Sequence, residues 1–270
     1  MAINPFLAIG NRFQDASVVE RYHLRLAYPT ETFDLLLGLI TDTPRALLDV
    51  GTGPGVLARQ LVEHVDRVDA VDPSAVMLAR GKTLPNGQHP NLRWLHGRIE
   101  DVALNPPYAL ITMGECLIWL DWNVVFPRFA ALLSPHGYVA QVERSELPPP
   151  WRADLLDLIR RYSTMKHYPA LQNVVTLLEE AKLFSKVGER ETAPVTTRQS
   201  VADYIASFHS RSSLSLEQMP PEEAAAFDER LRSMVEPWSR DGMLELQTVA
   251  SVVWGKPLRA SPETPASPQA

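Results

Sequence analysis

The stretch Leu47-Leu48-Asp49-Val50-Gly51-Thr52-Gly53-Pro54-Gly55-Val56-Leu57 constrains this chain more than any other. An apolar run of strand length enters a turn of alternate glycines, residues that bend the backbone sharply and take positive φ at little cost, and a helical pattern leaves it. The next apolar run, Val68-Asp69-Ala70-Val71-Asp72, ends in a carboxylate 17 residues after Gly55. A strand, a glycine turn opening a helix and a second strand closing on an acid form a cradle for a nucleotide cofactor. In such a cradle the acid can accept both hydrogen bonds of a ribose diol.

The spacing discriminates between cofactors. A dinucleotide fingerprint, G-x-G-x-x-G, needs a third glycine where this chain has Val56, and a phosphate-binding P-loop needs a Gly-Lys-Ser/Thr that is absent. What remains is Asp-x-Gly-x-Gly-x-Gly, beginning at Asp49. This pattern resembles motif I of the class I S-adenosylmethionine (SAM) methyltransferases, and Asp72 matches the acidic end of their second strand. The resemblance implies SAM as cofactor and S-adenosylhomocysteine as product. It implies that Asp49, Gly51, Thr52, Gly53 and Gly55 face the methionine part, and that Asp72, with Pro73 and Met77 beside it, holds the ribose.

The family's fold fits the rhythm of the chain. Short apolar runs alternate with amphipathic stretches from about residue 30 to 144, the signature of a parallel sheet with crossover helices. We expect strands near 46–50, 67–72, 92–97, 108–113 and 137–143, with helices including 31–40, 55–64, 74–82 and 122–133. Beyond the proline run 148–150 we expect helices at 151–163, 171–183, 199–208 and 221–236, and strands at 186–195 and 244–254. The expected architecture is α/β: a Rossmann-like, doubly wound, seven-stranded sheet of five parallel strands, one further parallel strand and an antiparallel last strand. It makes one domain over residues 1–258, with the core sheet at 30–145, helical lid segments at 144–170 and 197–240, and a closing strand at 244–254. Residues 259–270, rich in Pro, Ser and Ala, are expected to be a disordered tail.

Composition narrows the partners. With 26 Lys and Arg against 32 Asp and Glu the net charge is -6, which offers no basic footprint for nucleic acid or an anionic membrane. The single cysteine, Cys116, allows no intrachain disulfide and fits a reducing compartment, so a cytoplasmic location is expected. No apolar run approaches the ~20 residues of a membrane span. The seven histidines show no metal-ligand spacing, and no metal is expected. Monomer and homodimer both remain open.

The remaining site candidates follow from the resemblance. His96-Gly97-Arg98-Ile99-Glu100-Asp101 is similar to the family segment that meets the adenine, which points to Ile99 and Glu100; the Gly-Asp-Ala common there is replaced by Gly97-Arg98-Ile99. The fourth strand runs into Gly114-Glu115-Cys116-Leu117-Ile118-Trp119, where Gly114 and Glu115 would meet the cofactor's ammonium group. In trans-aconitate methyltransferase-like (type 11) enzymes this place carries a histidine; here it is Ile118, and Trp119 is a substrate candidate. The element from Tyr22 to Pro29, with Arg12-Phe13 before it, resembles one that folds over the cofactor in that group, which makes Tyr22 and Tyr28 substrate candidates. In the insertion, Tyr204, His209 and Arg211 fall at or near helical spacing, and Arg211 could anchor an acidic substrate. If a general base is needed, the candidates are His23, Glu115 and His209.

The expected activity is methyl transfer to an oxygen or nitrogen of a small molecule by in-line displacement. Asn105-Pro106-Pro107-Tyr108 suggests a competing activity, amino-group methylation of nucleic acid or protein. That tetrapeptide follows the fourth strand in enzymes of that kind and precedes it here. The residues are also compatible with a SAM-binding protein without transferase activity, and with a nicotinamide oxidoreductase.

Overall fold

The computed structural model describes residues 15–165 and 174–258. Arg12, Phe13 and the expected tail at 259–270 lie outside the described residues, as do the start of the helix expected at 171–183 and the end of the segment 144–170.

The core is one eight-stranded sheet in the order β3-β2-β1-β4-β5-β8-β6, with β7 also paired to β8. Strands β1 (Ala46–Val50), β2 (Arg67–Asp72), β3 (Leu92–His96), β4 (Tyr108–Gly114) and β5 (Leu133–Glu146) run parallel. β8 (Met243–Pro257) is antiparallel to β5 on one side and to β6 (Phe184–Glu191) and β7 (Val195–Ser200) on the other. The central strands β1 and β4 are buried along nearly their whole length, as parallel strands covered on both faces must be.

Eight strands appear where seven were expected. The strand expected at 186–195 is split: β6 ends at Glu191, and Pro194, which has no N–H for a ladder, lies in the gap. An edge strand tolerates such a residue, and pairing resumes from Val195↔Thr248 to Ser200↔Met243. β6 and β7 are thus successive parts of one interrupted edge, and Thr192 keeps the gap closed by exchanging hydrogen bonds with Ala250. The lid insertion therefore opens with a strand, and its first helix starts at Val201 instead of 199. Likewise β5 runs on to Glu146, so residues 144–146 belong to the sheet and not to a lid.

Helices α2 (Glu31–Gly38) and α3 (Ala58–Leu61) cover one face of the sheet, where Leu36, Leu61 and Val62 are fully buried. On the other face α5 (Trp122–Leu132) and α7 (Val174–Glu180) seat Trp122, Phe126, Phe129 and Leu178. α3 starts three residues later than expected, because the turn holds left-handed glycines up to Gly55 and only then can a right-handed helix begin. α4 (Ala75–Lys82) is capped by Ser74, whose hydroxyl accepts from Met77 N at 3.3 Å. Short α1 (Ala16–Arg21) packs on it through Val18, Val19 and Met77.

α6 (Arg152–Tyr162), α8 (Val201–Phe208) and α9 (Pro221–Val235) form a separate apolar cluster over β7 and the start of β8. Trp151, Tyr162, Phe208, Phe227, Leu231, Leu244 and Leu246 are buried there. This helical insertion, the segment expected to act as a lid, has a core of its own and rests on the extended end of the sheet.

Candidate functional site

Gly51, Gly53 and Gly55 all take positive φ, at 60°, 55° and 76°. Their surroundings differ. A Cβ on Gly51 would lie 2.6 Å from Cys116 Cβ, and one on Gly55 would lie 2.5 Å from the Trp94 ring, whereas one on Gly53 would meet only the Tyr22 hydroxyl, at 3.8 Å. At 51 and 55 the missing side chain lets the protein pack on its own turn. Only at Gly53 does it leave room for something else, and Gly55 lines no cavity.

Two carboxylates fix this turn from opposite sides. Asp49, buried beneath it, accepts from the Thr52 hydroxyl at 2.5 Å, the Thr112 hydroxyl at 2.8 Å and Ala58 N at 3.3 Å. Burial raises its pKa to about 6 in spite of those hydrogen bonds. Asp49 and Thr52 thus brace the turn from beneath and are not among the residues lining the cavity described below. Asp72 accepts from Gly53 N through Oδ2 and from Ser74 N through Oδ1, both at 2.8 Å. Burial raises its pKa as well, and the two backbone hydrogen bonds oppose the rise. One N–H per oxygen leaves each with acceptor capacity, and Asp72 faces a cavity.

That cavity, of about 330 Å³, opens at the carboxyl ends of β1, β2 and β4, where open α/β sheets bind ligands. One wall is formed by Gly51, Gly53, Asp72, Pro73 and Met77, the next by Ile99 and Glu100, and a third by Gly114, Glu115, Ile118 and Trp119. Tyr22, Arg25 and Arg211 close it from the α1 side and the lid. Glu100 is steadied by Arg98 at 3.1 Å and Asp121 N at 3.3 Å. Cys116 is buried in the wall, its thiol donating to Val50 O at 3.0 Å; burial keeps its pKa well above the ordinary range, so it is an inert packing group.

The three base candidates do not hold their expected places. Glu115 sits at φ 56° and is gripped by two guanidinium groups: Arg144 binds it bidentately at 3.0 and 3.1 Å, and Arg25 reaches it at 3.4 Å. Arg144 also donates to Leu26 O and lies over the Tyr28 ring at 4.6 Å. Arg25 donates to Ser210 and lies over Tyr22 at 4.3 Å. Glu115 is therefore a strut tying β4 to the segment 22–28 and to the lid. His23 is exposed, 2.8 Å from Glu20 O, and is not among the residues lining this cavity. His209 is buried inside the lid, with Leu214 O at 2.7 Å and Asp228 Oδ1 at 2.9 Å on its two ring nitrogens.

Of the substrate candidates, Tyr22, Trp119 and Arg211 line the cavity, and Arg211 with Tyr204 lines a second space beneath α8. Tyr28 is buried under Arg144 and lines neither. Sequence reasoning passed over Arg25 as a functional residue, although it lies inside the Tyr22–Tyr28 element, and gave no role to Arg144, Glu146 or Gln199. Asn105 to Tyr108 sits at the amino end of β4, the far end from the cavity, and the Tyr108 hydroxyl donates to Asp69. Among the described residues no group of three or more His, Cys, Asp or Glu is placed to hold a metal ion, and no helix is long and apolar enough to cross a membrane.

Residues 47–137, the span from the glycine turn to the start of β5, match the sequence profile of a methyltransferase domain. Methyltransferase pgmE of Aspergillus terreus is 34% identical over 103 residues, which cover 36% of this chain and 31% of the relative. A malonyl-acyl-carrier protein O-methyltransferase of Halalkalibacterium halodurans is 35% identical over 103 residues, covering 36% of this chain and 38% of the relative. The matching region thus spans about a third of these relatives' length. A solved structure of a candidate type II methyltransferase from Anaeromyxobacter dehalogenans superposes with a TM-score of 0.62 at 20% identity, over 86% of this chain and 97% of that one. At that identity it shows the shared fold. The profile, the relatives and the glycine turn with its two carboxylates agree: with residues 47–137 at its heart, the chain carries a class I SAM-dependent methyltransferase domain.

Proposed function

We propose that the whole protein is a SAM-dependent methyltransferase acting on an oxygen or nitrogen of a small-molecule acceptor. The observation that carries this reading is the Asp72 carboxylate, locked by Gly53 N and Ser74 N and facing the cavity beside an open Gly53. The residues present suit the cofactor. Asp72 would take the ribose hydroxyls, the Gly51–Gly53 backbone the methionine part, and Met77 and Ile99 would flank the adenine.

The bound cofactor supplies a methyl group on a positively charged sulfur, already activated for displacement. The chain's own task is then to place a nucleophile in line and keep water out. Ile118, Trp119 and Leu120 make an apolar wall at the end of β4, while Tyr22 and Arg25 cover the opening from the other side. The overall negative charge and the enclosed site favour a small acceptor over a nucleic acid, and the amino-end position of Asn105 removes the main support for an amino-group enzyme. The O-methyltransferase among the relatives agrees with an oxygen acceptor.

Incubation with methyl-labelled SAM and fractionated small acids, phenols and amines tests the proposal. We expect S-adenosylhomocysteine to form together with a labelled small product. Tight cofactor binding with no labelled product from any fraction would favour a non-catalytic SAM-binding protein, and stabilisation by NADH but not by SAM would favour an oxidoreductase.

A further inference from the structure

Beneath α8 lies a second chamber of about 260 Å³, lined by Arg25, Glu115, Arg144, Glu146, Gln199 and Tyr204 among others. Arg25, Glu115 and Arg211 border both this chamber and the larger cavity, so the two spaces share a wall. The charge of Glu115 is met by Arg144 and Arg25. Two buried acceptors and one solvent-exposed cation in the chamber have no such partner.

Arg211 has no carboxylate within ion-pair distance among the described residues, and its guanidinium rests on the Phe208 ring at 4.4 Å. Glu146 Oε1 and Gln199 Oε1 are buried acceptors that no described donor reaches. Gln199 is nonetheless held in place. Its Nε2 donates to Leu24 O at 2.7 Å, while Tyr204, which lines the chamber with Glu146, accepts from Trp151 Nε1 at 3.1 Å. Buried polar groups are normally satisfied, and two buried acceptors with an exposed guanidinium lining the same chamber describe the complement of a single small ligand.

We propose that this chamber is the acceptor site and that it takes a small carboxylic acid bearing a hydroxyl or amino group on the neighbouring carbon. The carboxylate pairs with Arg211, and the hydroxyl or amine donates to Glu146 Oε1 and Gln199 Oε1. Glu146, Gln199 and Arg211 then decide which acids are accepted, a role that rests on the methyltransferase reading above.

Calorimetry on the full chain saturated with S-adenosylhomocysteine tests this with three probes: L-malate, L-aspartate, and succinate, which lacks the neighbouring donor. For the unaltered protein we expect malate or aspartate to bind about tenfold more tightly than succinate, the worth of one added charge-assisted hydrogen bond. Arg211→Gln should weaken all of them by about tenfold or more, whereas Glu146→Gln should abolish the advantage over succinate and leave succinate itself unchanged. Thermal unfolding of both variants checks that they fold. Failure of all three acids to bind, or dissociation constants unaltered in both variants, overturns the proposal. Retained S-adenosylhomocysteine binding in those samples confines the failure to the acceptor site; its absence in the unaltered protein would instead sink the methyltransferase reading.

Discussion

The backbone N–H of Gly53 donates to Asp72 Oδ2 at 2.8 Å, so the turn after β1 and the acid that ends β2 form one unit although 19 residues separate them. A second bond, from Thr52 N to Val71 O at 3.0 Å, closes the same junction. The nucleotide cradle is thus cross-braced by the protein's own hydrogen bonds, and such bracing lowers the ordering cost of binding.

The glycines of the turn should differ in what they tolerate. Gly53→Ala meets only the strain of a left-handed residue, about 1–2 kcal/mol. Gly51→Ala adds an overlap with Cys116 Cβ at 2.6 Å and should destabilise the fold by at least a further 1 kcal/mol or so. Urea unfolding of the two variants measures the difference. Equal losses would contradict the assignment of Gly51 to internal packing.

Glu115→Gln should loosen the covering segment. It removes the charge that holds Arg144 and Arg25, a loss of about 1–3 kcal/mol for partly buried charge-assisted bonds. Hydrogen exchange by mass spectrometry should show faster exchange across residues 22–28 and around Ser210, with β1 and β4 unchanged. Uniform exchange over the whole chain would point to global destabilisation instead.

Asp49 gives a pH signature. Its folded pKa, raised to about 6, lies above its ordinary value of 3.8, so between those pH values the native state binds more protons than the unfolded one. Stability from this group is therefore fully present below about pH 4 and is lost as pH rises through 6, by an amount on the order of 3 kcal/mol. Asp49→Asn should flatten that part of the stability curve, as followed by urea midpoints at pH 4, 5, 6 and 7. A slope that survives the substitution would mean that another group titrates there.

The two histidines should be silent in cofactor binding. His23→Ala changes an exposed side chain and should leave both stability and S-adenosylhomocysteine affinity unaltered. His209→Ala leaves Leu214 O and Asp228 without their partner and should cost about 1–3 kcal/mol of stability, again with affinity intact. Thermal unfolding and calorimetry on the same samples separate the two effects.

Much of this molecule is legible in its sequence where a local rule and the global fold agree. The strands 46–50 and 67–72 lie where their apolar runs put them, and the positive φ of Gly51, Gly53 and Gly55 follows from spacing alone. The eighth strand, Val195–Ser200, is polar and largely exposed, so no apolar alternation marks it, and only its pairing with β8 makes it a strand. The surroundings of the base candidates are set by distant partners in the same way. Glu115 looks like a free carboxylate until Arg144, 29 residues on, and Arg25, 90 residues back, are brought to it. Residue type shows what a side chain could do, while its partners, set by long-range packing, decide what remains available. Glu146 and Gln199 carry no motif at all and acquire a role only because β5 and β7 flank β8 beneath the lid.

The carboxylate of Asp72 as a cofactor ligand is the claim on which the rest depends. Isothermal titration of S-adenosylhomocysteine into the unaltered protein and into Asp72→Ala tests it directly. We predict saturable one-site binding that the substitution weakens by about 1–3 kcal/mol, the worth of the charge-assisted hydrogen bonds removed. Equal affinity in the two proteins, with the variant folded, would contradict the claim.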